Sequence, residues 1–320
     1  MKMINDKFQV IYILGTAHSG STLLDLILGS HPSVVSTGEL WAFPYWVKEN
    51  RPCSCGAPIR ECTFWMRVLN RLYEEASWDP GELHPPDELR TPTLAWRIRA
   101  VLGTNKLLGG SEEFGRREHF LLSIIAKEAN ADYVVDSSKR LDRLLKLYDS
   151  GALDLKIVHL VRDGRYVLDA TRRAAIRRAQ FLGEKPKRRY RNSIWIYSGW
   201  IVNMLGQIRF LSKLDAGNYY RLSYEELATN PHTAVESLCD FLEIKFEQDV
   251  LKPASSRYVF KQEHHIIGGN RLTKKARIHP EMPIAYHATW EKNLSLMDKW
   301  VFALLGGHFI NRKLGIDRRK

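Results

Sequence analysis

The opening of the chain limits its fold more than any other feature. A short, β-branched apolar run at residues 9–14 (QVIYIL) ends at Gly15. After Thr16-Ala17-His18-Ser19-Gly20-Ser21-Thr22, the residues Leu23, Leu24, Leu26, Ile27 and Leu28 follow in helical character. The first run reads as a buried strand. Strand, glycine-containing loop and helix together open a nucleotide-binding α/β fold. Gly15, four residues and then Gly20 is phosphate-loop spacing. Glycines let the backbone turn tightly, so its N–H groups and the helix N-terminus face an anion. In a nucleoside-triphosphate enzyme the second glycine is followed by a lysine that reaches the outer phosphates. Here Ser21 and Thr22 follow Gly20. The loop therefore suits a phosphate but not a magnesium triphosphate; a purely structural turn is the bland alternative.

Further strands are expected at residues 33–37, ending at Gly38-Glu39, and at 132–135, 155–161 and 219–222. Helices are expected at 20–29, 113–129, 139–148 and 166–214, the last broken near 183–186. Two more helical pieces, divided at Asn230-Pro231, fill 224–242, and a final helix lies around 290–305. Residues 41 to about 110 are less regular. They hold three of the four cysteines, seven of the thirteen prolines, and Trp41, Trp46, Trp65, Trp78 and Trp96, and read as a helical insertion over the site. The expected fold class is α/β: a three-layer P-loop fold with a central, mainly parallel sheet flanked by helices, plus that insertion. One domain is expected over 1–320, with the insertion at about 41–110 and a variable C-terminal segment at about 245–320.

The apolar stretch at 8–14 is too short for a signal peptide, follows Asp6 and meets no small-residue cleavage site. No apolar run approaches the roughly 18 residues needed to span a bilayer, so a soluble cytoplasmic protein is expected. Lysine plus arginine total 48 against 36 acidic residues, a net charge of +12 that suits anionic partners. The charge does not choose among nucleotide, acidic sugar, nucleic acid and membrane, but no nucleic-acid module is recognisable and no nucleic-acid partner is expected. The densest basic run is Arg172, Arg173, Arg177, Arg178, Lys185, Lys187, Arg188, Arg189 and Arg191, which reads first as a solvated helical face.

Three landmarks occur in order: Ser19-Gly20-Ser21-Thr22-Leu23-Leu24, then the strand at 156–161 followed by Arg162-Asp163-Gly164-Arg165, then Tyr224-Glu225-Glu226-Leu227 after a strand. On these the chain resembles the P-loop sulfotransferases over about residues 9–243. The Cys-x-Cys and Cys-x-Phe-Trp patterns and Gly268-Gly269-Asn270-Arg271 look most like bacterial-type members. The resemblance implies a sulfotransferase using 3′-phosphoadenosine-5′-phosphosulfate (PAPS), with PAP as product and no metal at the site. It implies that Ala17, His18, Ser19, Gly20, Ser21 and Thr22 cradle the 5′-phosphate, that Arg162 holds the 3′-phosphate, and that Lys139 lies near the transferred sulfonate. His18 stands where the family has lysine or arginine, Ala170 where it has a phosphate-binding serine, and Leu23 where many members have an adenine-stacking tryptophan. Thr171, beside Ala170, is the candidate replacement hydroxyl.

Sulfonate transfer is an in-line displacement, helped by a base at the acceptor, donors at the leaving oxygen and a rigid nucleotide cradle. Glu39, just past the second strand, is the candidate base, in competition with His264 and His265. Lys139, read as opening a helix after the third strand, supplies charge where His18 is a weak donor. Ser138 and Arg271 are further nucleotide-contact candidates. The acceptor class stays open between small molecule, carbohydrate and lipid; the tryptophans suit stacking on sugar rings or a core equally. Cys53, Cys55 and Cys62 suit free thiols, a disulfide, or a metal set completed by His84, although the spacing matches paired zinc motifs poorly. Two other functions fit the loop: a kinase-like nucleotide phosphotransferase, and a non-catalytic anion-binding protein on the same fold.

Overall fold

The computed structural model describes residues 8–82, 93–103, 111–188, 192–247, 251–252, 257–259, 263–269, 271–279, 281–283, 286 and 288–316. The elements run β1 (Gln9–Gly15), α1 (Ser21–Gly29), β2 (Val34–Gly38), α2 (Phe43–Lys48), α3 (Thr63–Ala76), α4 (Leu94–Leu102), α5 (Ser111–Ala129), β3 (Tyr133–Lys139), α6 (Leu141–Ser150) and β4 (Leu155–Val161). There follow α7 (Gly164–Leu182), α8 (Ser193–Leu211), β5 (Tyr219–Ser223), α9 (Tyr224–Thr229), α10 (Pro231–Leu242), β6 (Leu251–Lys252) and β7 (Arg257–Val259). The chain closes with α11 (Arg271–Ile278), β8 (Glu281–Pro283), α12 (Trp290–Asn293), α13 (Leu296–Leu304) and α14 (Gly307–Lys313). No described helix is long and apolar enough to cross a membrane.

Strands β2-β3-β1-β4-β5 form one sheet, in that order and parallel throughout. Both faces of β1 are buried, as a central parallel strand requires. Ile11 and Ile13 pack with Leu24 and Leu26 of α1 and with Leu238 and Leu242 of α10. Tyr12 and Leu14, pointing the other way, pack with Leu144 and Leu147 of α6 and Leu211 of α8. The result is three layers, the expected α/β arrangement. A second cluster built around Trp65, Val68 and Leu72 of α3 packs on Leu121 and Ile125 of α5. The insertion is thus anchored by its own apolar face, and Trp65 belongs to the core.

Two expectations need correction. The third strand does not stop at residue 135: Ser137, Ser138 and Lys139 belong to β3, and α6 starts only at Leu141. Tyr12 pairs with Asp136 but Leu14 pairs with Lys139, so β3 holds one extra residue there. That bulge is stabilised locally, because Asp136 accepts the Ser138 N–H at 2.9 Å and the Ser138 hydroxyl. Bulges re-aim side chains and are frequent beside active sites. The segment after residue 245, expected as mixed loops before the last helix, also contains the antiparallel strands β6-β7-β8 and helix α11.

The edge strand β2 is extended by a segment far away in sequence. Ile267 N donates to the Thr37 carbonyl at 2.8 Å and Glu39 N donates to the Ile267 carbonyl at 2.9 Å. Gly38 lies between them at φ +80°, and a Cβ there would stand 2.2 Å from the Ile267 oxygen. Only glycine fits both the left-handed backbone and the gap.

Candidate active site

Ligands in open α/β sheets bind beyond the C-terminal strand ends. All five ends of the parallel sheet carry residues picked out by their chemistry. Residues 16–20 follow β1, Glu39 follows β2, Lys139 ends β3, Arg162 follows β4 and Tyr224 follows β5.

The loop after β1 is held from both sides. Gln207 of α8 donates from Nε2 to the Gly15 carbonyl at 2.8 Å, and its Oε1 faces His159 Nε2 at 3.0 Å. Arg221 Nε donates to His159 Nδ1 at 3.3 Å, which fixes Nε2 as the protonated nitrogen facing Gln207. Burial, and then the Arg221 charge, push His159 down to about 3, so the imidazole is neutral. On the other side Arg162 Nη1 donates to the His18 carbonyl at 3.0 Å. The Arg162 guanidinium lies between the rings of Tyr166 and Tyr224, 3.2 and 3.4 Å from their centroids. Gly20, at φ +99°, faces the same Tyr224 ring, and a Cβ there would come within 2.4 Å of it.

These supports leave donors without protein partners among the described residues at the start of α1. Helix α1 has no side-chain cap, and the N–H groups of Ser21 and Thr22 make no hydrogen bond to another described residue. The hydroxyls of buried Ser21 and Thr22 lie in the same first turn, and buried Ser19 Oγ and Arg162 Nε have no partner among the described residues. Buried donors without acceptors are costly in a folded protein unless a ligand supplies the acceptor. The positive field there is strong. Desolvation within the loop, although the residue keeps exposed surface, and then Arg162, Arg177, Arg173 and Lys139 push His18 down to about 4. His18 is therefore a neutral donor near pH 7, and its backbone is held at φ +67°.

Glu39 and Lys139, exactly one hundred positions apart in sequence, meet across the strand ends: Lys139 Nζ donates to Glu39 Oε1 at 2.7 Å and to the Ser137 carbonyl at 3.0 Å. Trp41 Nε1 donates to Glu39 Oε2 at 3.0 Å. Lys139 reaches this position through the bulge and its own positive φ of +65°. A cavity of about 310 Å³ opens beside the pair, lined by Gly15, Thr16 and Ala17 of the loop, by Trp41 and Trp96, and by Asn203.

Several sequence-derived candidates stand elsewhere. Ser138 is 2% exposed, donates its hydroxyl to Asp136 and accepts the Trp41 N–H at 3.1 Å, so it braces the bulge. Arg162 is 6% exposed and donates to the loop backbone. No hydrogen bond joins Thr171 of α7 to the loop. The backbone of Arg271 opens α11, next to Gly269, where an added Cβ would lie 3.6 Å from Thr22 Cγ2. His264 and His265 are not among the cavity-lining residues. His84, Arg189 and Arg191 lie outside the described residues.

Three contributors were missed. Asp25 of α1, a lone acid within an apolar helical run, is buried, and burial pushes it up to about 7; Ser137 Oγ donates to it at 3.1 Å. The charge inside that run was the available signal. Gln207 and Tyr166 carried no local signal, since each acts through a tertiary contact.

Residues 116–248 match the family model described as the sulfotransferase family. This stretch carries Lys139, Arg162 and Tyr224, while the loop after β1 and Glu39 precede it. No curated protein matches the sequence. Among solved structures, a sulfotransferase domain from the curacin biosynthetic pathway is 19% identical, with a TM-score of 0.47 and coverage of 93% of this chain and 98% of its own. The sulfotransferase domain of the Synechococcus PCC 7002 olefin synthase is 18% identical at a TM-score of 0.49, covering 95% and 98%. A Mycobacterium avium sulfotransferase is 12% identical at 0.49, covering 94% of this chain and 76% of its own. At TM-scores below 0.5 these are loose likenesses and carry no conclusion about chemistry. By the match over residues 116–248, this part of the chain is similar to the sulfotransferase family.

Proposed function

We propose that this protein transfers a sulfonate group from PAPS to a hydroxyl or amine acceptor held in the cavity beside Trp41 and Trp96. The observation that carries the reading is that a carboxylate–ammonium pair, Glu39 and Lys139, lines the same cavity as Gly15, Thr16 and Ala17 of the glycine loop. PAPS supplies the activated sulfonate, and its bond to the 5′-phosphate oxygen is the one that breaks.

The 5′-phosphate is received by the Ser21 and Thr22 N–H groups and hydroxyls, with Ala17, Ser19 and Gly20 shaping the cradle. His18 contributes a neutral N–H donor. Arg162 holds the loop through the His18 carbonyl, and its unpartnered Nε and remaining amino group give the 3′-phosphate a cation. Arg271 and Thr171 complete the nucleotide side of the assignment. Ser138 is assigned to positioning Lys139 and Trp41 instead of to nucleotide contact. An ammonium has three donors, and two of Lys139's are used on Glu39 and the Ser137 carbonyl. The third is assigned to the negative charge that develops on the leaving oxygen. Glu39, held by Trp41 and Lys139, accepts the proton from the acceptor as it attacks. The tryptophan walls favour an acceptor with a flat or apolar face.

The test is incubation with radiolabelled PAPS and a panel of phenols, alcohols, sugars and amines. Labelled acceptor together with one PAP per transfer supports the reading. Glu39→Gln is expected to cut kcat by about 10²-fold or more and to leave PAP affinity within about twofold. Phosphate transfer from Mg-ATP in place of sulfonate transfer would overturn the proposal.

A further inference from the structure

The cysteine cluster of the insertion has a fourth member from the far end of the chain. Cys53, Cys55, Cys62 and His265 bring three Sγ atoms and one imidazole nitrogen within 4.8 Å of one another. Cys55 Sγ and Cys62 Sγ are 3.6 Å apart, and His265 Nδ1 is 3.2 Å from Cys62 Sγ and 3.9 Å from Cys53 Sγ. Zinc bonds of about 2.3 Å to sulfur and about 2.0 Å to nitrogen give tetrahedral edges of about 3.8 Å between sulfurs and about 3.5 Å between sulfur and nitrogen. The observed separations lie close to those edges. They are too long for a bond between any of the pairs, and a disulfide would leave the other two members of the cluster unexplained.

The surrounding backbone holds these atoms in place. Cys53 N donates to the Ala57 carbonyl at 2.8 Å and Gly56 N to the Cys53 carbonyl at 2.9 Å, which curls Cys53-Ser54-Cys55 into a knuckle. Cys62 N donates to the Pro58 carbonyl at 2.8 Å and places Cys62 at the start of α3. Ser54 Oγ donates to the His264 carbonyl at 2.6 Å and accepts the Ile266 N–H at 2.8 Å. Trp65 Nε1 donates to the His265 carbonyl at 2.8 Å, and the Phe64 ring stacks on the imidazole at 5.1 Å. These hydrogen bonds fix the backbone around the ligand residues, whose four ligand atoms lie within 4.8 Å of one another.

We propose that Cys53, Cys55, Cys62 and His265 form a structural zinc site that ties the insertion to the 263–269 segment. Three thiolates and one imidazole in tetrahedral array select Zn²⁺ over hard cations, and four protein ligands leave no open position for catalysis. The site acts on the active centre at a distance. Two residues beyond His265, Ile267 extends the sheet along Thr37 and Glu39. Next to it, an added Cβ at Gly268 would lie 3.3 Å from Glu39 Cγ. A metal at His265 therefore fixes the wall against which Glu39 rests.

The first test is metal analysis of the full-length protein purified without added zinc or chelator, with thiols counted before and after denaturation. About one zinc per chain is expected, with Cys53, Cys55 and Cys62 protected from thiol reagent until the protein is denatured or the metal withdrawn. Replacement by Co²⁺ should give the intense absorption of tetrahedral thiolate-bound cobalt, and His265→Ala should shift that spectrum. Withdrawing the metal should lower Tm by at least about 5 °C, and adding Zn²⁺ back should restore it. Less than about 0.1 metal per chain, about one iron instead of zinc, or a Cys55–Cys62 disulfide in the protein as isolated would each overturn the proposal.

Discussion

Arg162 shows how a single side chain can serve a loop as well as a ligand. Arg162 fills the space between Tyr166 and Tyr224 and holds the His18 carbonyl, so its removal should loosen the loop as well as remove charge. Arg162→Ala is expected to weaken PAP binding by about 2 kcal/mol, or about 30-fold, by calorimetry. Arg162→Lys should recover little, because an ammonium lacks the planar face that stacks between the two rings. His18 makes a pH prediction. Free of ligand its pKa is lowered to about 4; a bound phosphate raises it, so binding takes up a proton. Affinity for PAP should therefore rise as pH falls from about 7.5 towards about 5, and the gain should be complete only below the free-state value. In His18→Gln that part of the pH dependence should vanish; an unchanged slope in calorimetric titrations would remove His18 from the phosphate site.

At the scale of elements, the legible parts were those whose signal is local. The run LKIVHLV gave β4 to the residue, and Asn230-Pro231 marked the division between α9 and α10. The end of β3 was not legible, because Asp136-Ser137-Ser138 has the composition of a turn and only pairing with β1 turns it into a bulged strand. Lys139 was picked out for its charge beside a strand, but its ion pair with Glu39 depends on that bulge. The cysteines were visible, whereas His265 lies about two hundred residues from them and only the folded chain joins them. Gly38 and Gly20 give sharp tests at this scale. Gly38→Ala puts a Cβ against the Ile267 carbonyl at φ +80° and is expected to cost about 2–4 kcal/mol, read as a lowered Tm. Gly20→Ala collides with Tyr224, so Tyr224→Ala in the same chain should restore part of the lost stability while the left-handed backbone cost remains. If the double variant recovers nothing, the Gly20–Tyr224 contact is not what fixes the loop.

The whole molecule gathers at one sheet edge what the sequence spreads over more than two hundred residues. Glycine loop, carboxylate–ammonium pair, buried arginine and tyrosine follow successive strand ends, and the insertion supplies tryptophan walls and a second anchor through the 263–269 segment. The net charge of +12 is concentrated in part around His18, where four cations act together, so nucleotide binding should weaken with added salt. The most direct test of PAPS recognition is calorimetric titration of the full-length protein with PAP, beside AMP and Mg-ATP under the same conditions. PAP is expected to bind at least about 30-fold more tightly than AMP, the difference being the charge-assisted contacts of the 3′-phosphate. Equal affinity for PAP and AMP, or a preference for Mg-ATP, would contradict the account.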